Sequence, residues 1–331
     1  MLEASQWWRS LLAEAPGGGA GLVAFGSFAF DPTSPRGGVL MVPEVARAVG
    51  STRELVSRTG PGDYPAGVRV EDGDMSRAAY MEAVAMIRDA IRAGRLEKAV
   101  LARDVVLRAP EPVDRAALLG RLAAAHPDVA LFAVDGLIGA SPETLVTVHG
   151  GRVTARVLAG TAGPGEAEAL ADSDKDGREH ELARRSVLEA LAPHVTNLEV
   201  SATPFVLELP HLTHLATDVS GTIADGSDVL SLVAALHPTA AVAGTPRSDA
   251  IASIRQVETF DRGRYSGPVG WVDANGDGEW AIALRCAEFV DDRTARACTG
   301  AGIMSDSIPE MELAETDLKL RPILEAFGLK R

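Results

Sequence analysis

Apolar residues recur along this chain with two periods, and the changes between them predict its elements. Between Arg77 and Ala93, Tyr80, Val84, Ile87 and Ile91 fall three or four apart. Ser76 is placed to cap the start of that stretch and Gly94 to stop it, so the spacing predicts a helix. The Val- and Leu-rich run from Lys98 to Arg108 reads as a strand on which Lys98 shares a face with Val100 and Ala102. A helix over about 113–125 leads into the strand Val129–Val134, then hairpin-like strands around Ile138, Leu145 and Val153, then a long helix over about 174–193. Strand-like runs occupy 197–208 and 212–223, and helices are expected near 228–236 and 247–260. The turn Ala274-Asn-Gly-Asp-Gly278 joins Val269–Asp273 to one long strand over 279–290, an Asn-Gly hairpin signal. A strand over 294–299 ends in Gly300-Ala-Gly302, and a last helix covers about 309–327. Residues 1–70 are richer in Gly and Pro; short runs such as Gly21–Phe30 read as strands, with Pro16–Gly19 and Pro35–Gly38 as turns. No Gly-Lys-Ser/Thr follows these glycines, which excludes a phosphate loop. Hairpins mixed with helices, without repeats, imply an α+β fold with large antiparallel sheets.

A length of 331 residues, 46% hydrophobic and 24% charged, supplies a large core for one big domain or two modest ones. The formal net charge of −14 argues against a nucleic-acid surface, which needs clustered Lys and Arg. It leaves an anionic small molecule open, because that responds to local charge. Cys286 and Cys298 are too few for a disulfide framework and read as small core residues in a reducing cytoplasm. No basic stretch precedes an apolar one at the start, and no run is long enough for a transmembrane helix. The expectation is a soluble, cytoplasmic protein that binds neither membrane nor nucleic acid.

Positive charge is distributed unusually: of 32 Lys and Arg, only Lys98, Lys175, Lys319 and Lys330 are lysines. Arg stays protonated, whereas a buried Lys can give up its proton and act as a base. Lys98, at the head of an apolar strand face, is the candidate for that role; Lys175 reads as a solvated charge. Asp176 and Glu179 are three apart on one helix, as are Glu312 and Glu315 on another, with Lys319 one turn further. Two such pairs can build an oxygen cage of the kind Mg²⁺ prefers, although each pair alone reads as a solvated face. His211-x-x-His214 lacks the spacing and companion Glu of a zinc helix. Glu143, in Ser141-Pro-Glu143, could serve as a general acid if buried. Leu158-Ala-Gly-Thr161 offers backbone N–H groups, Arg285 a carboxylate-binding fork, and His237-Pro-Thr239 a turn.

Ten segments in order carry a resemblance: Glu97–Arg103, Ile138–Leu145, Leu158–Thr161, Lys175–Leu182, His214–Thr217, Leu236–Thr239, Phe260–Trp271, Ala283–Ala287, Gly300–Ile303 and Glu315–Leu320. Together they resemble the chorismate-utilising enzymes, most closely the isochorismate synthases, from about Arg77 to Leu329. The resemblance implies two large stacked antiparallel sheets with surrounding helices. Residues 1–70 would be a variable N-terminal portion of the same domain, and 71–331 the chorismate-binding catalytic portion. It further implies Lys98 as the general base for water attack at C2 of chorismate, and Glu143 as the general acid at the C4 hydroxyl. Glu179 and Glu315 match Mg²⁺ ligands, with Asp176 and Glu312 as supporting carboxylates. Gly160, Thr161, Tyr265, Arg285, Gly300, Ala301, Gly302 and Lys319 match the substrate cradle. Monomeric action in menaquinone or siderophore biosynthesis is also implied. Lys98 stands where ammonia-using relatives carry a residue such as Gln. Salicylate synthases keep the Lys and are familiar with Tyr at the Tyr265 position, so they are the alternative, with a non-catalytic chorismate-binding homologue as a further one.

Overall fold

The expected strands sort into two antiparallel sheets, and the path of the chain between them sets up everything that follows. A computed structural model describes residues 1–46, 62–163, 165–208 and 212–329. Its first half comprises α1 (Leu2–Glu14), β1 (Val23–Phe28), β2 (Gly38–Met41), β3 (Arg69–Asp72), α2 (Arg77–Arg92), β4 (Lys98–Arg108), α3 (Arg115–Ala125), β5 (Ala130–Val134), β6 (Leu137–Ser141), β7 (Thr144–His149) and β8 (Arg152–Ala162). The second half comprises α4 (Ala167–Ala171), α5 (Asp174–Leu191), β9 (Val195–Val200), β10 (Phe205–Glu208), β11 (Thr213–Ile223), α6 (Val229–Leu236), β12 (Gly244–Thr245), α7 (Arg247–Val257), β13 (Pro268–Asp273), β14 (Gly278–Ile282), β15 (Cys286–Phe289), β16 (Thr294–Ile303) and α8 (Pro309–Ala326). Nine strands run in the order β10-β11-β8-β7-β14-β13-β1-β2, with β9 also on β11; seven run β12-β4-β16-β15-β6-β5, with β3 also on β4.

The sheets meet over a shared apolar layer: Val269 and Ala281 of the larger sheet pack with Ala102, Phe132, Leu137, Cys286 and Cys298 of the smaller. Both cysteines are free and buried, as expected. Helices cover the faces turned away from that layer. Ala183, Val187 and Leu191 of α5, and the almost wholly apolar α6, share one core with β7 and β8. Leu118 and Leu122 of α3 and Ile323, Leu324 and Phe327 around α8 share another with β4 and β6. No helix among the described residues is long and apolar enough to cross a membrane.

Four sequence expectations change. The segment before β1 forms α1, where only strands and turns were expected; Trp8 is 1% exposed and packs into the main core. The run over 279–290 is two strands, β14 in one sheet and β15 in the other. The run over 197–208 is likewise broken, into β9 and β10. Gly300-Ala-Gly302 continues β16 rather than ending it, paired with Ala102, Leu101 and Val100 of β4.

The free stretch of β4 between β12 and β3 is finished by side chains. Glu258 accepts from Ala102 N at 2.8 Å, and Arg262 donates to Val100 O at 2.6 Å and Val242 O at 3.0 Å. These two are a buried ion pair at 2.5 Å. They satisfy backbone groups that would otherwise be orphaned at a buried edge, and fix the strand that starts at Lys98.

Candidate active site

Two neighbouring crossings from one sheet to the other form part of the wall of a cavity. β6 pairs with β15 in the smaller sheet and β7 with β14 in the larger. Ser141-Pro142-Glu143 therefore links the sheets once and Ala283-Leu284-Arg285 links them again beside it. The joints are sewn together: Ser141 Oγ donates to Ile282 O at 2.5 Å and accepts from Glu143 N at 3.2 Å, while Ile282 N donates to Glu143 O at 3.0 Å. At the second crossing Arg285 adopts φ 49°, a conformation uncommon for a side-chain-bearing residue. Glu143 and Arg285 both line the cavity.

Their environments differ. Burial raises the Glu143 carboxyl to about 7, against the pull of Lys98, Arg285 and Lys319. A carboxyl raised that far can hold its proton near neutral pH, the property a general acid needs. Arg285 is depressed by burial, and among the described residues it has no carboxylate partner; its contact is His214 Nε2 at 3.4 Å. A half-buried guanidinium with no carboxylate in direct contact is costly, and an anion entering the cavity would reduce that cost.

A bulge builds a further part of the wall, next to Arg285. The register of β8 and β11 shifts between His214 and Leu215, which leaves Gly160 at φ 79° with its carbonyl 3.3 Å from His214 Nδ1. Thr161 Oγ1 lies 3.1 Å from the same nitrogen. Burial, then Arg285 and Lys319, hold His214 well below its usual range, so the ring is neutral. Sequence reading weighed His214 only as a zinc ligand. The signal that could have found it is its place in the His214–Thr217 segment, opposite Thr161. His211 lies outside the described residues.

Three lysines meet three glutamates. Lys98 is fully buried with Nζ 3.0 Å from Glu179 Oε1, an ionic approach poorly angled for a hydrogen bond. Lys175 Nζ lies 2.7 Å from Glu312, and Lys319 Nζ 2.5 Å from Glu315 and 3.1 Å from Gly300 O. Lys175 is thus no solvated charge. Although burial opposes it, Glu312 first, then Glu179 and Glu315, raise its ammonium above the usual range. Burial and the adjacent Glu315 raise Glu312 to about 6. Burial also works against Glu179, but Lys98, Lys319 and Lys175 hold it below the usual carboxylate range. Lys330 lies outside the described residues.

The helices bearing these acids are anchored. Ser173 caps α5 by accepting from Asp176 N and pairs closely with the Asp176 carboxylate, which also accepts from Thr161 N at 3.4 Å. His180 bridges Thr217 Oγ1 at 2.7 Å and Ala159 O at 3.2 Å, fixing Glu179 next to it. Buried Arg103 of β4 holds α8 through Thr316 at 2.8 Å and Asp317 at 2.6 Å.

Of the expected site residues, Glu143, Gly160, Thr161, Glu179, Tyr265, Arg285, Gly300, Gly302 and Lys319 line the cavity. Lys98 lies behind Glu179. Ala301 is buried away from the cavity because alternation along β16 turns it to the other face from Gly300 and Gly302. Among the described residues, no three His, Cys, Asp or Glu side chains converge to hold an ion as they stand; the lysines hold the glutamates. The four carboxylates nevertheless fit a hard divalent cation in donor type, and burial, then the neighbouring Glu315, makes ionised Glu312 costly, a cost that a cation at the cluster would reduce.

Residues 42–328 match the model of a family described as Chorismate binding enzyme. Isochorismate synthase DhbC of Bacillus subtilis is 37% identical over 306 residues, 86% of this chain and 73% of that protein. Isochorismate synthase EntC of Escherichia coli K12 is 33% identical over 321 residues, 93% of this chain and 81% of that one. The solved structure of MenF, the menaquinone-specific isochorismate synthase from Escherichia coli, matches with a TM-score of 0.79 at 26% identity, over 98% of this chain and 82% of that one.

Proposed function

The chain belongs to the chorismate-binding enzyme family, and from that membership and the chemistry of the cavity we propose that it is an isochorismate synthase. The observation that carries the reading is the meeting, in one cavity wall, of a protonatable buried carboxyl at Glu143 and a guanidinium at Arg285 with no ion-pair partner among the described residues, with the fully buried Lys98 behind Glu179.

In this reading Lys98 removes a proton from a water as its oxygen bonds to C2 of chorismate. The C1=C2 electron pair moves to C1–C6 and the C5=C6 pair to C4–C5, and the C4–O bond breaks. Glu143 delivers a proton to the departing hydroxyl, so one water enters and one leaves. Acting as a base requires Lys98 to leave its pairing with Glu179. Arg285, beside Tyr265, takes the enolpyruvyl carboxylate in a bidentate grip. The glycines of β16 and the bulge at Gly160–Thr161 let the ring approach the backbone. Asp176, Glu179, Glu312 and Glu315 would hold Mg²⁺, which supplies positive charge to offset the ring carboxylate among these acids. The enzyme works as a cytoplasmic monomer on a small molecule alone.

Purified protein incubated with chorismate and Mg²⁺, followed by product chromatography, tests the reading. Isochorismate alone is expected. Salicylate with pyruvate would replace the reading with salicylate synthesis, and the absence of any turnover with a binding-only protein. In the same assay Lys98→Ala should lower the rate by about 10²–10⁴-fold, the usual contribution of a positioned base, while chorismate binding persists. Wild-type rates from that variant would remove Lys98 from its role.

A further inference from the structure

All three lysines within the described residues are spent on the three glutamates of the cavity region, whereas arginine and histidine supply the cations of every other described ion pair. The three lysines are not equivalent. Lys98 is fully enclosed, and the Lys319 side chain is 13% exposed and also bonded to Gly300 O. The Lys175 side chain is 29% exposed, sits in the first turn of α5, and among the described residues pairs with Glu312, whose side chain is 2% exposed. Its flexible stem can swing into solvent; the Glu312 carboxylate cannot.

Resting on the metal reading above, we propose that Lys175 is a resident counter-ion of the acid cluster, one that a divalent cation displaces from Glu312 when it binds. A compact ammonium suits the task. It neutralises a buried carboxylate by a single contact that one rotation breaks, where the planar fork of Arg would hold Glu312 through two. The pairing prevents the cluster from carrying uncompensated charge before the cation arrives. It also lowers the affinity of the free enzyme for that cation, because each binding event must break the 2.7 Å pair.

Isothermal titration of Mg²⁺ alone into the substrate-free protein tests this. Lys175→Met should bind Mg²⁺ about tenfold more tightly, within the usual range of coupling between competing ligands. Arg178→Met removes a nearby positive charge that pairs with Asp306 on the surface, and should change affinity less than twofold. At high KCl the field of a distant charge is screened while a direct contact is not, so the Lys175→Met gain should persist there. Equal affinities for wild type and Lys175→Met, or equal gains from both variants, or a gain abolished by KCl, would overturn the displacement while leaving the metal reading in place. Absence of Mg²⁺ binding in all three proteins would overturn both. Should Lys175→Met fail to fold, Lys175→Gln, closer in length and polarity, serves in the same titration.

Discussion

Glu143 and Lys98 are both buried at the cavity and meet the cost of burial in different ways. Lys98 keeps a carboxylate 3.0 Å away. Glu143 has no such partner and rises to about 7. Its proton is bound more tightly in the folded chain than in the unfolded one, so its contribution to stability is present below its ordinary value and is lost as pH rises through about 7. From 4.5 to about 7 this is on the order of 3 kcal/mol. Glu143→Gln cannot ionise. Urea unfolding at pH 5 and pH 8 should therefore show the wild type losing stability relative to the Gln variant as pH rises. The wild-type kcat should fall over the same interval as the acid form is titrated, and a flat profile through pH 7–8 would contradict the assignment. Such residues were legible because their chemical types recur at fixed places in ordered segments. The pairing of Lys175 with Glu312 was not: 137 positions separate them, and no local pattern reports a contact made by folding.

At the scale of elements, periodicity found the long helices and most strands but not where a strand changes sheet. The run over 279–290 is mostly apolar on either side of Arg285, because β14 and β15 are both largely buried, and a single charged residue in such a run does not by itself report a change of sheet at Ala283–Arg285. The break is what presents Arg285 to the cavity. β16 shows a second device. A Cβ at Gly302 would lie 2.1 Å from Glu179 Oε1 and 3.2 Å from Lys98 Cε. The Glu179 carboxylate can move aside, so Gly302→Ala should fold with a nearly unchanged melting temperature. Its kcat should drop by roughly 10²-fold, since about 1 Å of misplacement costs that much. Wild-type turnover in this variant would show that the Lys98–Glu179 geometry is immaterial.

For the whole molecule, the α+β architecture of two stacked sheets was legible from strand and hairpin patterns together with the ordered segments, whereas the part played by the first residues was not. Their Gly- and Pro-rich setting hid α1, although Trp8, Leu11 and Leu12 fall at helical spacing. Ser5 and Arg9 bond to Asp228, the cap of α6, and Trp8 donates to Asp273 O at 3.3 Å. Trp8→Ala should cost about 3–5 kcal/mol, as truncation of a large buried aromatic does, measured by denaturant unfolding; a loss below 1 kcal/mol would mean that α1 contributes little to the fold. The cavity lies where the two sheets exchange strands, so its chemistry depends on both. Turnover of chorismate in H₂¹⁸O, read by mass spectrometry of the product, tests the central claim most directly. Water attack at C2 predicts isochorismate carrying one ¹⁸O, and unlabelled isochorismate would mean that the original hydroxyl had migrated, contradicting the roles given to Lys98 and Glu143.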